Sequence, residues 1–253
     1  MIPSADIEEA LHRLYIAVPG ATLRQEDRKK VAELVGILEE IDKVVQATSN
    51  RRPVRLIDAA AGKAYVGLLA AELVLARRSR SGHVTLIERD SRRAAACRQA
   101  GASVRAPRVE IDVIETDVAE ASAWPQEPDI VVALHACGPA SDVVARKAVA
   151  CGARHLLLVP CCTSKKVDAA ALAVKRADAL GIPRQAEVRR RFIQAMVDSW
   201  RTLALEAAGY ETAVVSFVAP TVTPHHLLWR ARRVGEPRRM AAAVADLARF
   251  SSP

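Results

Sequence analysis

The chain has 253 residues, enough for one α/β domain or for a domain with a short helical extension. Hydrophobic residues make up 51%, which excludes global disorder, and with aromatics at only 4% the core must be built mainly from Ala, Val, Leu and Ile. The net charge of +8 favours an anionic partner such as RNA, DNA or a phosphorylated metabolite, unless it reflects no more than Arg standing for Lys on the surface of an Ala- and Arg-rich chain.

In chain order, residues 5–16 and 26–47 are predicted as helices. In the second, Val31, Leu34, Val35, Leu38, Ile41 and Val45 recur at steps of three and four and form one apolar stripe. The polar segment 48–53, ending in Pro53, breaks it, so 1–50 reads as an N-terminal helical extension and 51–253 as the main domain. Strands are then predicted at 54–58, 83–88, 109–115, 129–135 and 155–159. They alternate with helices at about 64–78, 90–100, 139–151 and 166–180. Pro139 suits a first helical turn, where its missing N–H costs little. A helix at 185–208 stops at Gly209, and two consecutive strands follow at 210–218 and 227–234 before a last helix at 237–250.

Strands separated by helices predict a parallel sheet covered on both faces, and the final strand pair predicts an antiparallel edge. A dinucleotide-binding oxidoreductase is not expected to end in that pair. Ligands of such sheets sit beyond the carboxyl ends of the strands, at the switch point. Those ends are Asp58, Glu88, Asp117, His135 and Pro160, which are also the chemically notable residues.

The segment from Asp58 to Tyr65 follows a strand and opens a helix. Small residues there let the backbone approach a ligand, and Ala60, Gly62 and Ala64 occupy alternate positions, although an ordinary tight turn would need no more. A carboxylate at Glu88 can accept both hydrogen bonds of a ribose diol; the plainer reading is a solvated Glu-Arg-Asp cluster. Asp117 can accept from an adenine amino group while Val118 packs on the ring, and it can equally cap a helix.

The segment His135-Ala-Cys-Gly-Pro-Ala-Ser-Asp142 ends an apolar strand, and Pro160-Cys161-Cys162 ends the next. If the two strands pair, these groups share one rim. A Cys/His metal site and a dry pocket walled by Cys137, Cys161 and Cys162 then compete, beside simple burial of cysteine as a small apolar residue. A vicinal Cys pair with His-x-Cys fits a four-ligand zinc signature poorly, so no metal is expected. Five cysteines, with no secretion-type apolar stretch in 1–10 and no framework spacing, argue against structural disulfides. No run reaches the ~18 apolar residues of a membrane span, and a cytoplasmic protein without a membrane partner is expected.

Three segments, Asp58-x-x-x-Gly62-Lys63, His135-Ala-Cys137-Gly138-x-x-x-Asp142 and Pro160-Cys161-Cys162, resemble the S-adenosylmethionine-dependent methyltransferase domain of the methyltransferase-32 type. That domain occurs in eukaryotic methyltransferase-like proteins, and a similar His-x-Cys-Gly and Cys-Cys pair is found in tRNA 2′-O-methyltransferases that modify the acceptor stem. The segment 207–231, with Thr223-Pro224-His225-His226, resembles bacterial members, which often have Asn where His226 stands. The likeness spans about 28–234; Ala60 and Ala64 depart from it where loop glycines are usual. It implies a Rossmann-like, seven-strand class I methyltransferase sheet, with S-adenosylmethionine near Asp58, Ala60, Gly62, Glu88, Asp117 and Val118, and His135 facing the methyl donor.

The expected activity is therefore S-adenosylmethionine-dependent methyl transfer, with His135 as base or orienting group and Asp142 orienting it or the acceptor. RNA is the expected acceptor, from the charge, the RNA-modifying relatives and the basic stretches 189–191 and 230–233. A protein or small-molecule acceptor, and a non-catalytic module that only binds, are the alternatives.

Overall fold

All seven predicted strands are present in the computed structural model, which describes residues 2–16, 25–161 and 166–251. Helix α1 (Ser4–Leu11) runs on as π-helical turns at His12–Ile16, and α2 is Gln25–Ala47. The domain follows with β1 (Val54–Ala59), α3 (Tyr65–Leu69), β2 (Gly82–Glu88), α4 (Ser91–Gly101), β3 (Val109–Glu115), β4 (Ile130–Ala136), α5 (Ala140–Ala150) and β5 (His155–Pro160). It closes with α6 (Ala170–Ala179), α7 (Glu187–Ala207), β6 (Tyr210–Ser216), β7 (Leu227–Arg233) and α8 (Pro237–Ser251).

The sheet order is β3-β2-β1-β4-β5-β7-β6. The first five strands are parallel, and β7 is inserted antiparallel between β5 and β6. This is the arrangement expected from the strand–strand ending. The reversal of strand order falls between β1 and β4, so a crevice opens above the carboxyl ends of those strands. Central strands read as almost continuous apolar runs because both faces are covered, whereas the edge strand β3 alternates.

The core has two halves, one on each sheet face. Leu34, Leu38, Ile41 and Val45 of α2 pack with α1, α3 and the sheet residues Leu56, Val84 and Val132. The stripe predicted for α2 thus covers the sheet directly. On the other face, Ile57, Val131, Leu156, Leu158, Tyr210 and Trp229 pack beneath α5 and α7. Gly67 marks the closest approach of α3 to the sheet: a Cβ there would lie 2.4 Å from Leu86 and 3.1 Å from Asp58 Cβ.

The structure departs from expectation within two helices. The predicted helix at 64–78 begins regularly and then widens into π-helical turns at Ala70–Ala76. The predicted helix at 166–180 starts late, at Ala170, after Ala169 in a left-handed conformation. Among the described residues no helix is long and apolar enough to cross a membrane.

Candidate functional site

The loop after β1 is shaped by three left-handed residues at alternate positions, Ala60 (φ 56°), Gly62 (φ 61°) and Ala64 (φ 56°). The usual glycines are replaced at two of them, yet the backbone course is kept. Glu88 at the end of β2 fixes this loop: its carboxylate accepts from the Gly62 amide at 2.7 Å and from the Asp90 amide at 2.9 Å. Each carboxylate oxygen retains a second acceptor direction. Asp58 is placed lower, under α3, where Oδ2 accepts from the Gly67 amide at 2.8 Å. Burial pushes its carboxyl up to about 7, against the Gly67 amide and Lys30, which pull it down, while Glu88 adds to the rise.

Above the strand ends lies a cleft of about 330 Å³. Ala60, Glu88, Asp117, Val118, His135 and Cys137 all line it, together with Ile87. Asp117 stands after β3, accepting from the Ala119 amide at 2.9 Å and from Arg89 at 3.3 Å. Val118 is buried beside it, its carbonyl accepting from the Trp124 indole at 2.9 Å. The cleft therefore offers two carboxylates on one wall and apolar side chains, Ile87 and Val118, on another. Neither Asp58 nor Gly62 lines it; they support the loop beneath.

His135 sits where the β4–β5 ladder slips. Leu134 pairs with Val159 and Ala136 with Pro160, and His135, with φ 61°, is the residue left over. A bulge of this kind re-aims a side chain. Its imidazole meets Glu33 of α2, with Nε2 3.0 Å from the carboxylate. Burial tends to raise the Glu33 pKa, but the hydrogen bond from His135 and the charge of Lys30, 3.1 Å away, outweigh it, and the value falls to about 2. The His135 Nδ1 atom is buried without a hydrogen-bond partner among the described residues. Nothing in the local pattern singled out Glu33, which lies 102 positions earlier in the chain.

A second cavity, of about 390 Å³, is lined by Cys161, Gln194, Asp198, Arg201, His225 and Trp229 among others. The His135 and His225 rings are 6.0 Å apart, edge to face. Burial and the nearby charge of His135 lower the pKa of His225. The wall between the cavities is completed by Cys137 and Cys161, which are joined as a disulfide with Cα atoms 5.4 Å apart. This corrects the expectation of no disulfide: adjacent strand ends bring the two sulfurs together, a proximity that sequence spacing does not reveal. Cys162 lies outside the described residues.

Asp142 is not beside His135. It is buried, and its oxygens accept from Arg201 at 2.8 and 2.9 Å and from the Asp168 amide at 2.9 Å. Arg201 is equally buried, reaches Asp198 at 3.1 Å and lies 5.3 Å from the centre of the Trp229 ring. This network ties α5 to α7 below the second cavity. Among the described residues no group of three or more His, Cys, Asp or Glu is arranged to hold a metal ion.

A family model described as a methyltransferase domain, that of the methyltransferase-32 family, matches residues 29–168, more than half of the chain. The chain belongs to this family of methyltransferases. The matched stretch of the methyltransferase includes Glu33, the loop after β1, Glu88, Asp117 and His135. No curated protein sequence matches the methyltransferase. Among solved structures it is similar to magnesium protoporphyrin IX methyltransferase (ChlM) from Synechocystis PCC 6803 with bound SAH, at 14% identity and TM-score 0.53, covering 89% of this chain and 94% of that one. The same enzyme with bound SAM gives 12% identity and TM-score 0.51, covering 89% and 90%. The CurJ carbon methyltransferase gives 12% and 0.50, covering 82% of this chain and 55% of that one. At this level of identity the likeness establishes the fold, the Rossmann-like class I arrangement.

Proposed function

We propose that this methyltransferase uses S-adenosylmethionine and binds it in the cleft above β1, β2, β3 and β4. The observation that carries the reading is the convergence of Ala60, Glu88, Asp117, Val118 and His135 on one 330 Å³ cleft at the point where strand order reverses. When bound, the cofactor supplies an electrophilic methyl on a sulfonium and leaves as the thioether, the bonding pair staying on sulfur. Glu88 has acceptor capacity left for a ribose diol, Asp117 for an amino group, and Ile87 with Val118 for the face of a base. The left-handed loop at 60–64 keeps the backbone low enough for a ligand to lie over it. His135, at the rim of the same cleft, orients the acceptor against the methyl donor.

For the acceptor, the overall charge of +8 and the likeness of the His-x-Cys-Gly and Cys-Cys segments to tRNA 2′-O-methyltransferases support RNA. The basic stretches that motivated RNA are, however, largely engaged within the chain. Arg189 pairs with Asp178, Arg190 and Arg191 with Glu187, Arg230 with Glu40 and Arg232 with Glu211. The 390 Å³ cavity, whose wall includes His225 with its ring 6.0 Å from that of His135, is of a size for one base, one side chain or one small ring system. We therefore read the acceptor as a single group of that size presented past His225 and the Cys137–Cys161 wall, whether free or part of a larger chain.

Calorimetric titration with S-adenosylmethionine tests the cofactor site. Removing a charged acceptor costs about 1.5–3 kcal/mol, so Glu88→Ala is expected to weaken binding by about 10- to 100-fold. Absence of binding to the wild-type chain overturns the reading. Transfer of labelled methyl to separate RNA, protein and small-molecule fractions of a cell extract then identifies the acceptor; label in none of them defeats the catalytic reading and leaves a binding module.

A further inference from the structure

We propose that Glu33, on the N-terminal helix α2, is a positioning residue that fixes His135 as its Nε2–H tautomer and holds the ring at the rim of the cleft. The inference deepens the methyl-transfer reading and rests on it. Three observations converge. The Glu33 carboxylate lies 3.0 Å from Nε2, and an ionised carboxylate only accepts, so the ring must present N–H at that nitrogen. Nδ1 is shielded from water and has no partner among the described residues. In the neutral ring it is a bare lone pair; as N–H it would be a buried donor with nothing to bind, the costlier state.

The third observation is the backbone. His135 holds φ 61° on a slipped residue of the ladder, a conformation costing on the order of 1–3 kcal/mol for a non-glycine residue. A simple clamp between α2 and the sheet needs no such distortion, since an Arg or Lys could reach Glu33 from a regular strand. The distortion instead turns the imidazole so that one nitrogen faces Glu33 while the ring edges the cleft and stands 6.0 Å from His225. Lys30, 3.1 Å from the other Glu33 oxygen, keeps the carboxylate ionised and in place. Among the described residues the charged and titratable groups around the imidazole are Glu33, with Lys30 behind it, from α2 and His225 from the segment before β7.

By holding one tautomer and one ring orientation, Glu33 keeps the same edge of the imidazole at the rim of the cleft. Where a buried carboxylate orients a working histidine, its loss costs up to about 10⁴-fold in kcat.

The test uses the full chain labelled with 15N-histidine, with the His135 signals assigned by their loss in His135→Gln. Long-range 1H–15N correlation is expected to show Nε2 protonated and Nδ1 bare. In Glu33→Ala this preference disappears, and kcat falls by at least about tenfold while KM for S-adenosylmethionine stays within about twofold. In Glu33→Gln the single amide oxygen is held by the Lys30 ammonium and the NH₂ faces Nε2, so the tautomer is expected to reverse to Nδ1–H and kcat to fall; this variant carries the test if Glu33→Ala fails to fold. A wild-type ring protonated at Nδ1 overturns the proposal, as does a folded Glu33→Ala with unchanged tautomer and kcat. The tautomer is read without any acceptor. Loss of the preference in Glu33→Ala therefore upholds the positioning even if methyl transfer is never detected, and that failure would count against the proposed reaction alone.

Discussion

Replacing Asp58 by Asn should change the pH dependence of stability in a way that no surface carboxylate can mimic. Asp58 is buried beneath α3, where its carboxylate accepts from the Gly67 amide at 2.8 Å. Burial, countered by that amide and by Lys30, lifts its pKa from 3.8 to about 7. An acid whose folded pKa is raised holds a proton in the folded state that the unfolded chain has already lost. Stability must therefore fall as pH rises from about 4 to about 7, and the full penalty persists above pH 7. A gap of about three units at 1.36 kcal/mol each amounts to roughly 4 kcal/mol at alkaline pH, of which about 3 kcal/mol develops between pH 5 and pH 9. The substituted amide cannot ionise. It keeps an oxygen for the Gly67 amide and pays for its own buried NH₂ group, about 1–3 kcal/mol, but at every pH alike. Urea unfolding of both chains at pH 5, 6, 7, 8 and 9 isolates the effect, because all other groups cancel in the difference. The wild type should lose about 3 kcal/mol relative to Asp58→Asn across that range. Curves that run parallel to within about 1 kcal/mol would refute the account of Asp58 as a buried, largely neutral acid.

Two further outcomes follow from named contacts. Ala64 is fully buried with φ 56°, where an L-residue costs roughly 1–2 kcal/mol, so Ala64→Gly should be neutral or stabilising by up to about 1 kcal/mol in thermal unfolding, opposite to the usual penalty for Gly. Asp142→Ala strands the buried Arg201 with only Asp198 beside it, and should cost about 3–5 kcal/mol, a fall in Tm on the order of 6–20 °C. If Asp142 instead serves catalysis, kcat of the folded variant at low temperature falls with little change in Tm.

The periodicities of the chain made most of the fold legible. The stripe from Val31 to Val45 on α2 and the near-continuous apolar runs of β1, β4 and β5 are local properties, and local sequence carries them. The strand ends at Glu88, Asp117 and His135 were legible for the same reason, since position within a strand is also local. Three features were not. Asp142 reads as an acid at a helix start near His135; its true partner, Arg201, is 59 residues on and is selected by how α7 packs on α5. The Cys137–Cys161 pairing depends on the register of β5 against β4. Glu33 lies on what reads as a separate extension, and it meets His135 because α2 lies over the sheet and because the ladder slips by one residue at the imidazole.

That slip bears on whether the chain is a working enzyme or an eroded one. Loss of loop glycines reads, from sequence, as loss of cofactor binding. The backbone says otherwise. Ala60 and Ala64 hold the same left-handed conformation as Gly62, and His135 joins them across the cleft. An L-residue in that conformation costs about 1 kcal/mol or more, and a chain under no demand there would relax toward the ordinary regions. Three of the six non-glycine residues with positive φ among the described residues stand in this loop or at the rim of the cleft, where named contacts hold the backbone: Glu88 on the Gly62 amide, the packing around buried Ala64, and Glu33 on the His135 ring. What a ligand over the loop needs is the course of the backbone and not the absence of a methyl group. The replaced glycines therefore argue less for a passive binding module than their number suggests, and the strain retained at His135, which lines the cleft, argues for catalysis.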